Sequence, residues 1–220
     1  REQEIEKLEN YISSRKSEFI AIYGRRRVGK TFLVKELFEN RFAFRVTGKD
    51  NVITKEQLAS FSFALNDQLG IEADVTNWPE AFRLLQKALE KMPDGTKIIF
   101  FDELPWFDTY ASNFISALEH FWNDWAFYRS DIKLIACGSA TTWMLNQVIN
   151  SRGGLHNRIT HNILLSPFKL HEVEEYFKSQ GFYYERPEII ECYMAMGGVA
   201  YYLSLFETNK SVAQNIQQLC

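Results

Sequence analysis

The chain is expected to adopt an α/β fold: a three-layer core on a mostly parallel five-stranded sheet, followed by a small all-helical piece. Three observations predict it. Apolar runs of strand length at 19–23, 42–46, 97–101, 133–137 and 159–165 alternate with stretches of helical periodicity. The runs at 97–101 (KIIFF) and 133–137 (KLIAC) show no polar alternation, as in strands buried on both faces. After Pro167 only helical patterns remain.

In chain order, residues 2–16 place Ile5, Leu8 and Ile12 at helical spacing. The first strand, 19–23, runs into a glycine loop at 24–29 and a helix at 31–38. Strand 42–46 precedes helices at 54–69 and 79–92, the second with Pro79 near its start. Strand 97–101 is followed by a helix at 111–128, strand 133–137, a short helix at 142–149 and a polar loop at 150–157. Strand 159–165 closes the sheet. Helices are expected at 170–180, 187–196, 199–207 and 211–219. The expected boundaries are a core at 1–167, whose first element spans 1–17, and a helical subdomain at 168–220.

The bulk properties exclude several classes. The 220 residues are 46% hydrophobic and 24% charged, enough for a core that needs neither disulfides nor structural metal. A net charge of −3 gives no bulk electrostatic case for nucleic acid. Cys137, Cys192 and Cys220 lack metal-site spacing, and an odd count argues against a disulfide framework, so a cytoplasmic setting is expected. No apolar stretch reaches membrane-span length. His120, His156, His161 and His171 lack the spacing of a metal site. The first residue is Arg1 rather than Met, which suggests a trimmed chain.

The most informative segment is FIAIYGRRRVGKTFLVKELF. Gly24, Gly29, Lys30 and Thr31 match GxxxxGK[ST], between an expected strand and an expected helix. The glycines let the backbone curl so that N–H groups converge on phosphate oxygens. The helix start adds its positive dipole end. The Lys30 ammonium suits β and γ phosphates, and the Thr31 hydroxyl is a hard oxygen ligand for Mg²⁺. Arg25, Arg26, Arg27 and Val28 fill the variable positions and Phe32 follows. All five join the expected nucleotide-contacting set, with solvated loop-tip charges as the alternative for the arginines.

Such a loop needs a carboxylate on a neighbouring strand. The run KIIFF ends in Asp102 and Glu103, at the strand end that lines the ligand crevice of an open α/β sheet. Asp102 is expected to hold Mg²⁺ with Thr31, and Glu103 to polarise the attacking water. A pair of acids that merely cap a strand is the alternative.

Taken together, these residues resemble the prokaryotic AAA+-related P-loop ATPases of the STAND type (signal-transduction ATPases with numerous domains), especially the archaeal-type ATPase family. Residues 1–5 (REQEI) are similar to the end of that family's N-terminal motif, which implies a helix near the adenine pocket. Residues 24–31 are similar to its Walker A motif and IIFFDELPWF to its Walker B motif. LIACGSA resembles its sensor region and implicates Ser139; a plain strand-end turn is the alternative. The segment from Gly153 to Phe177 resembles the stretch in which an arginine precedes "L-x-PF", and Arg158 takes that position; a structural ion pair is the alternative. MGGVAYYL resembles the lid motif, with Ala200 where the family usually has proline.

The resemblance implies an ATPase that takes ATP with Mg²⁺, releases ADP and drives a conformational switch within a larger protein. Lys30, Glu103, Ser139 and Arg158 are its expected catalytic set. Adenine specificity comes from the resemblance alone; no Asn-Lys-x-Asp guanine motif is present. A protein partner, or self-association through a region beyond Cys220, is expected. The alternatives are a slow-hydrolysing nucleotide-binding scaffold, a small-molecule phosphotransferase, or a DNA-engaged motor subunit.

Overall fold

The computed structural model describes residues 1–150 and 153–219. Ser151 and Arg152 of the expected polar loop, and Cys220, lie outside the described residues. The chain divides into two compact units: Arg1–Tyr23 with Thr31–Leu164, and Gly24–Lys30 with Leu165–Cys220.

The first unit holds α1 (Glu2–Ile12), β1 (Glu18–Tyr23), α2 (Lys30–Phe38, whose first residue belongs to the other unit) and β2 (Phe42–Thr47). It continues with α3 (Thr54–Leu69), α4 (Trp78–Lys91), β3 (Lys97–Asp102), α5 (Phe114–His120), β4 (Ile132–Gly138), α6 (Thr141–Trp143) and β5 (His161–Leu164). The five strands form one sheet in the order β2-β3-β4-β1-β5, and every pairing is parallel. The expected fold class is met, with a sheet that is wholly rather than mostly parallel.

Handedness sets the layers. The chain passes from β1 to β2 in one direction across the sheet, then steps back through β3 and β4 and over β1 to β5. Right-handed crossovers in opposite directions put α2 on one face and α3 to α6 on the other. The second face is aromatic. Trp78 of α4 meets Phe61, Phe107 and Phe114 edge-on at 5.6, 5.6 and 4.8 Å between ring centres. Phe101 of β3 packs into the same cluster. Much of the chain's phenylalanine is spent here, at about 2 kcal/mol of burial for each large side chain.

Several boundaries differ from expectation, each for a local reason. α1 stops at Ile12 because Ser13 Oγ donates to the Glu9 carbonyl and Ser14 Oγ to that of Lys16. The helix expected from 111 starts at Phe114, since Ala111 and Asn113 have left-handed φ of 52° and 57°. It then widens to a π-helix at Phe121–Trp125, where the adjacent Phe121 and Trp122 are both buried, and ends as a 3₁₀ turn at Ala126–Tyr128. The short helix expected at 142–149 winds the same wide way over Met144–Ile149. β5 begins at His161 because Thr160 turns its hydroxyl onto the Phe19 N–H (3.0 Å).

β2 is an edge strand, and α3 caps part of its outer side, and the chain just past it, with side-chain amides. Arg45 N–H donates to Gln68 Oε1 (2.8 Å), and Gln68 Nε2 donates to the Arg45 carbonyl (2.9 Å). Gln57 does the same for Lys49, at 3.1 and 2.7 Å.

A charge lies at the start of β4. Lys133 is fully buried and in register with Glu18 of β1, which is buried too. Its Nζ donates to the Ser14 carbonyl (2.9 Å), Ser14 Oγ (3.0 Å) and the Lys16 carbonyl. Burial pushes its pKa down while Glu18 holds it up. These bonds tie the α1–β1 connection to the sheet. Lys133→Met removes these part-buried hydrogen bonds and the cation beside buried Glu18, so urea unfolding is expected to show a loss of about 1–3 kcal/mol; an unchanged midpoint would show that the connection is held otherwise.

In the second unit, α7 (Leu170–Ser179), α8 (Arg186–Met196), α9 (Ala200–Leu203) and α10 (Val212–Leu219) surround Val173, Phe177, Ile189, Cys192, Leu203 and Val212. Expected at 199–207, α9 is a single turn, because Ser204 Oγ donates back to the Tyr201 carbonyl (2.8 Å). The buried Asn215 accepts the Glu207 N–H and donates to the Ser211 carbonyl, fixing the last connection. Burial pushes the Cys192 thiol up to about 12, so it is packing material rather than a nucleophile. Among the described residues no helix is long and apolar enough to cross a membrane.

Candidate active site

Because all strands run one way, the sheet has one end where strands start and one where they finish. Asp102 is the last residue of β3, and Ser139 follows Gly138 at the end of the adjacent β4. Both sit at the finishing end, where open parallel sheets take ligands.

Thr31, the second residue of α2, donates its hydroxyl to Asp102 Oδ1 (2.9 Å) and lies 3.1 Å from Oδ2. The motif's final residue and the first acid, 71 positions apart, are therefore in direct contact. Asp102 is only 5% exposed. Burial pushes its pKa up, the Thr31 hydrogen bond opposes that, and the Glu103 charge adds to it; Lys35 and the Glu103 N–H pull down.

Glu103 has left-handed φ of 48° and ψ of 51°, which ends β3 sharply before the 3₁₀ turn Leu104–Phe107. Its N–H donates to Asp102 Oδ1 (3.1 Å). Its Oε2 accepts the Ser139 N–H (3.0 Å) and the Ser139 hydroxyl (2.8 Å). A non-glycine residue in this conformation costs about 1 kcal/mol, and such strain gathers at functional sites. Thr31, Asp102, Glu103 and Ser139 thus form one hydrogen-bonded chain of four predicted residues.

The loop Gly24–Lys30 belongs to the helical unit. Lys30 is buried, and its Nζ donates to the carbonyls of Gly24 (3.0 Å) and Arg25 (3.1 Å), drawing the loop into a ring. Gly24 has φ of 145°, and a Cβ there would lie 2.3 Å from the Leu165 carbonyl oxygen, so only glycine fits. Val28 is buried, Gly29 is partly so, and Arg25, Arg26 and Arg27 are exposed. Arg27 rests on Tyr201 and Tyr202 of α9, with its guanidinium 4.7 and 5.5 Å from the two ring centres. Phe32 is 71% exposed. Ala200 is the first residue of α9, a position where proline's missing N–H costs nothing, so the departure from the lid motif leaves the turn intact.

Arg158 lies apart from this group. It precedes β5, beside Thr160, whose N–H bonds the Phe19 carbonyl at the start of β1, and its guanidinium lies 4.5 Å from the ring centre of Phe127, ahead of β4. That is the starting end of the sheet, about 15–20 Å of strand from Asp102 and Glu103. Arg158 does not reach these acids within its own chain.

Two neighbours of the site are not flagged by the sequence motifs. Lys35 lies one helical turn beyond Thr31 and acts on Asp102; its i+4 spacing is the available signal. Gly48 donates its N–H to the Asp102 carbonyl (2.9 Å), and a Cβ there would lie 2.7 Å from the Glu103 carbonyl oxygen.

Thr31 Oγ1 and the Asp102 carboxylate are adjacent hard oxygens, the donor set a magnesium ion takes beside phosphate oxygens and water. Among the described residues no cluster of three or more His, Cys, Asp or Glu is placed to hold a metal alone. The raised pKa of Asp102 has a stability consequence. A carboxylate whose folded value lies above its unfolded value stabilises the fold below the unfolded value and loses that contribution as pH rises through the folded one. At neutral pH the ionised Asp102 therefore costs stability until a cation offsets it. Asp102→Asn is expected to raise the ligand-free melting temperature and to abolish extra stabilisation by Mg²⁺ with nucleotide. A lower melting temperature would contradict this.

Comparison with known proteins adds the following. Residues 1–206 match a family described as an ATPase domain predominantly from Archaea. An uncharacterized protein of Methanocaldococcus jannaschii is 30% identical over 206 residues, covering 92% of this chain and 42% of that protein, so this chain spans well under half of its relative. Among solved structures, a Walker-type ATPase of Pyrococcus abyssi is similar at a TM-score of 0.71 and 20% identity, over 99% of this chain and 70% of that one. The ORC1 protein of Aeropyrum pernix, solved in complex with DNA, is similar at 0.69 and 13% identity, over 100% and 65%. A STAND protein with a tetratricopeptide repeat sensor from Pyrococcus horikoshii is similar at 0.55 and 18% identity, over 100% and 32%. At these identities the likeness speaks to the fold alone.

Proposed function

Since the chain belongs to the family of ATPase domains found predominantly in Archaea, an ATP-binding P-loop family, we propose that it binds ATP with Mg²⁺ through residues 24–31 and Asp102, hydrolyses it with Glu103 as base, and works as a conformational switch in a larger protein. One observation carries this reading: the 2.9 Å bond from Thr31 to Asp102, which joins the phosphate motif to the acid pair. Lys30 is the cation for the β and γ phosphates, and Mg²⁺, when bound, neutralises charge on the same oxygens. Ser139 positions the Glu103 carboxylate. The loop's grouping with α7 to α10 supports a switch, since a change at the phosphates bears directly on the helical unit. On the same reading α1 lies near the adenine ring of the bound nucleotide.

Calorimetry with ATP and Mg²⁺ on folded protein, followed by phosphate release without any added acceptor, tests the proposal. Binding heat and free phosphate are expected; no heat would overturn it, and binding without phosphate would leave a scaffold.

That scaffold is the second reading. The two hydrogen bonds from Ser139 that occupy Glu103 Oε2 favour it, because a base so held activates water slowly. A DNA-engaged motor has no support from a net charge of −3. Given its place, Arg158 acts either on a neighbouring copy or only on Phe127; a hydrolysis rate per chain that rises with protein concentration, and loses that rise in Arg158→Ala, identifies the first. Partners and the remainder of the protein belong to the same proposal, since this chain covers 42% of its relative.

A further inference from the structure

We propose that Tyr201 and Tyr202 are positioning residues for the phosphate-binding loop and set the affinity for the nucleoside triphosphate. This rests on reading residues 24–31 as the nucleotide loop.

The first argument is geometric. Arg27 sits at the loop tip in a left-handed conformation, φ 71°, and its carbonyl accepts the Tyr201 N–H at 3.2 Å. In a trans peptide the carbonyl and the next N–H point opposite ways. Fixing the Arg27 carbonyl towards α9 therefore turns the Val28 N–H to the loop's other side, where amides must converge to cradle an anion.

The second argument is the side-chain contact. The Arg27 guanidinium lies over both tyrosine rings and donates from Nη1 to Tyr202 Oη at 3.1 Å. One arginine is thus held by two faces and one hydroxyl, from residues about 175 positions away. Ala200 extends the contact, since its Cβ lies 4.0 Å from where a Cβ on Gly29 would stand. Core packing alone does not call for this arrangement: Tyr201 is 46% exposed and Arg27 is exposed. The aromatic pair contributes where the loop needs stiffness, and a stiff loop binds without first having to be ordered.

The test uses the full chain, with calorimetric ATP–Mg²⁺ affinity, steady-state hydrolysis and melting temperature read together. Tyr202→Phe, which removes only the hydroxyl, is expected to weaken ATP about two- to threefold. Tyr201→Ala with Tyr202→Ala is expected to weaken it about tenfold, with KM rising more than kcat falls. Adding Arg27→Ala to that double variant is expected to cost less than it does in the unmodified chain. Should the double variant unfold, Arg27→Lys carries the test, since it keeps the charge and loses the planar stack; it is expected to weaken ATP about threefold. If the unmodified chain binds no ATP, the nucleotide reading itself fails. If it binds, and the variants bind equally well with only a lower melting temperature, the tyrosines are merely structural and this inference is overturned.

Discussion

Glu103→Gln is expected to slow single-turnover ATP hydrolysis by about 10²- to 10³-fold while leaving ATP affinity within a few fold. The size follows from the usual contribution of one positioned general base. The substitution is nearly isosteric. The introduced amide keeps an oxygen that accepts from Ser139, so the two hydrogen bonds that hold Glu103 survive. What disappears is a negative oxygen able to draw a proton from water. The left-handed backbone at 103 is imposed by the end of β3 and the turn at Leu104–Phe107, so it is expected to persist. Rapid quench of enzyme in excess over ATP reads the chemical step alone. A variant that hydrolyses at the parental rate would remove Glu103 from the mechanism. A parental rate already near zero would favour the scaffold, with little activity left to lose.

The second large effect is expected from Gly24→Ala. At φ 145° an L-residue is strained by about 1–3 kcal/mol. The added methyl also has nowhere to go, because it falls 2.3 Å from the Leu165 carbonyl oxygen and 3.2 Å from its carbon. Those are backbone atoms, so no side chain can rotate away to relieve the overlap. The loop must move instead, and Lys30 loses the Gly24 carbonyl it now bonds. ATP affinity is expected to fall about 100-fold or more, with a lower melting temperature, since loop and helical unit share the clash. Calorimetry and thermal unfolding on one preparation check both halves. Parental ATP binding in this variant would mean that the loop closes on phosphate in another shape.

These two residues mark what could be read in advance. Gly24, Lys30 and Thr31 carry their signal in contiguous spacing, and Asp102 and Glu103 in the abrupt end of an apolar run. Such patterns are local, and the sheet order then has little freedom in where it sends them. The rest depends on contacts between distant residues. Nothing near Arg158 states which end of a parallel sheet it will occupy; that follows from where β5 registers against β1. Nothing near Arg27 points to Tyr202. The wide winding at Phe121–Trp125 arises from burying two adjacent aromatics, and helical periodicity does not register it. Adjacency in sequence groups the loop 24–30 with the sheet, whereas its contacts place it with the C-terminal helices.

The amides of Gln57 and Gln68 bear on how copies of this molecule meet. An open sheet border invites a stranger's backbone to lie alongside and continue the ladder, which is how many aggregates begin. On the β2 flank part of that berth is taken, because Gln68 presents to Arg45, and Gln57 to Lys49 just past the strand, the donor and acceptor an incoming peptide would bring. A strand that added there would have to displace both amides first, whereas β5, the sheet's other border, has β1 as its strand neighbour.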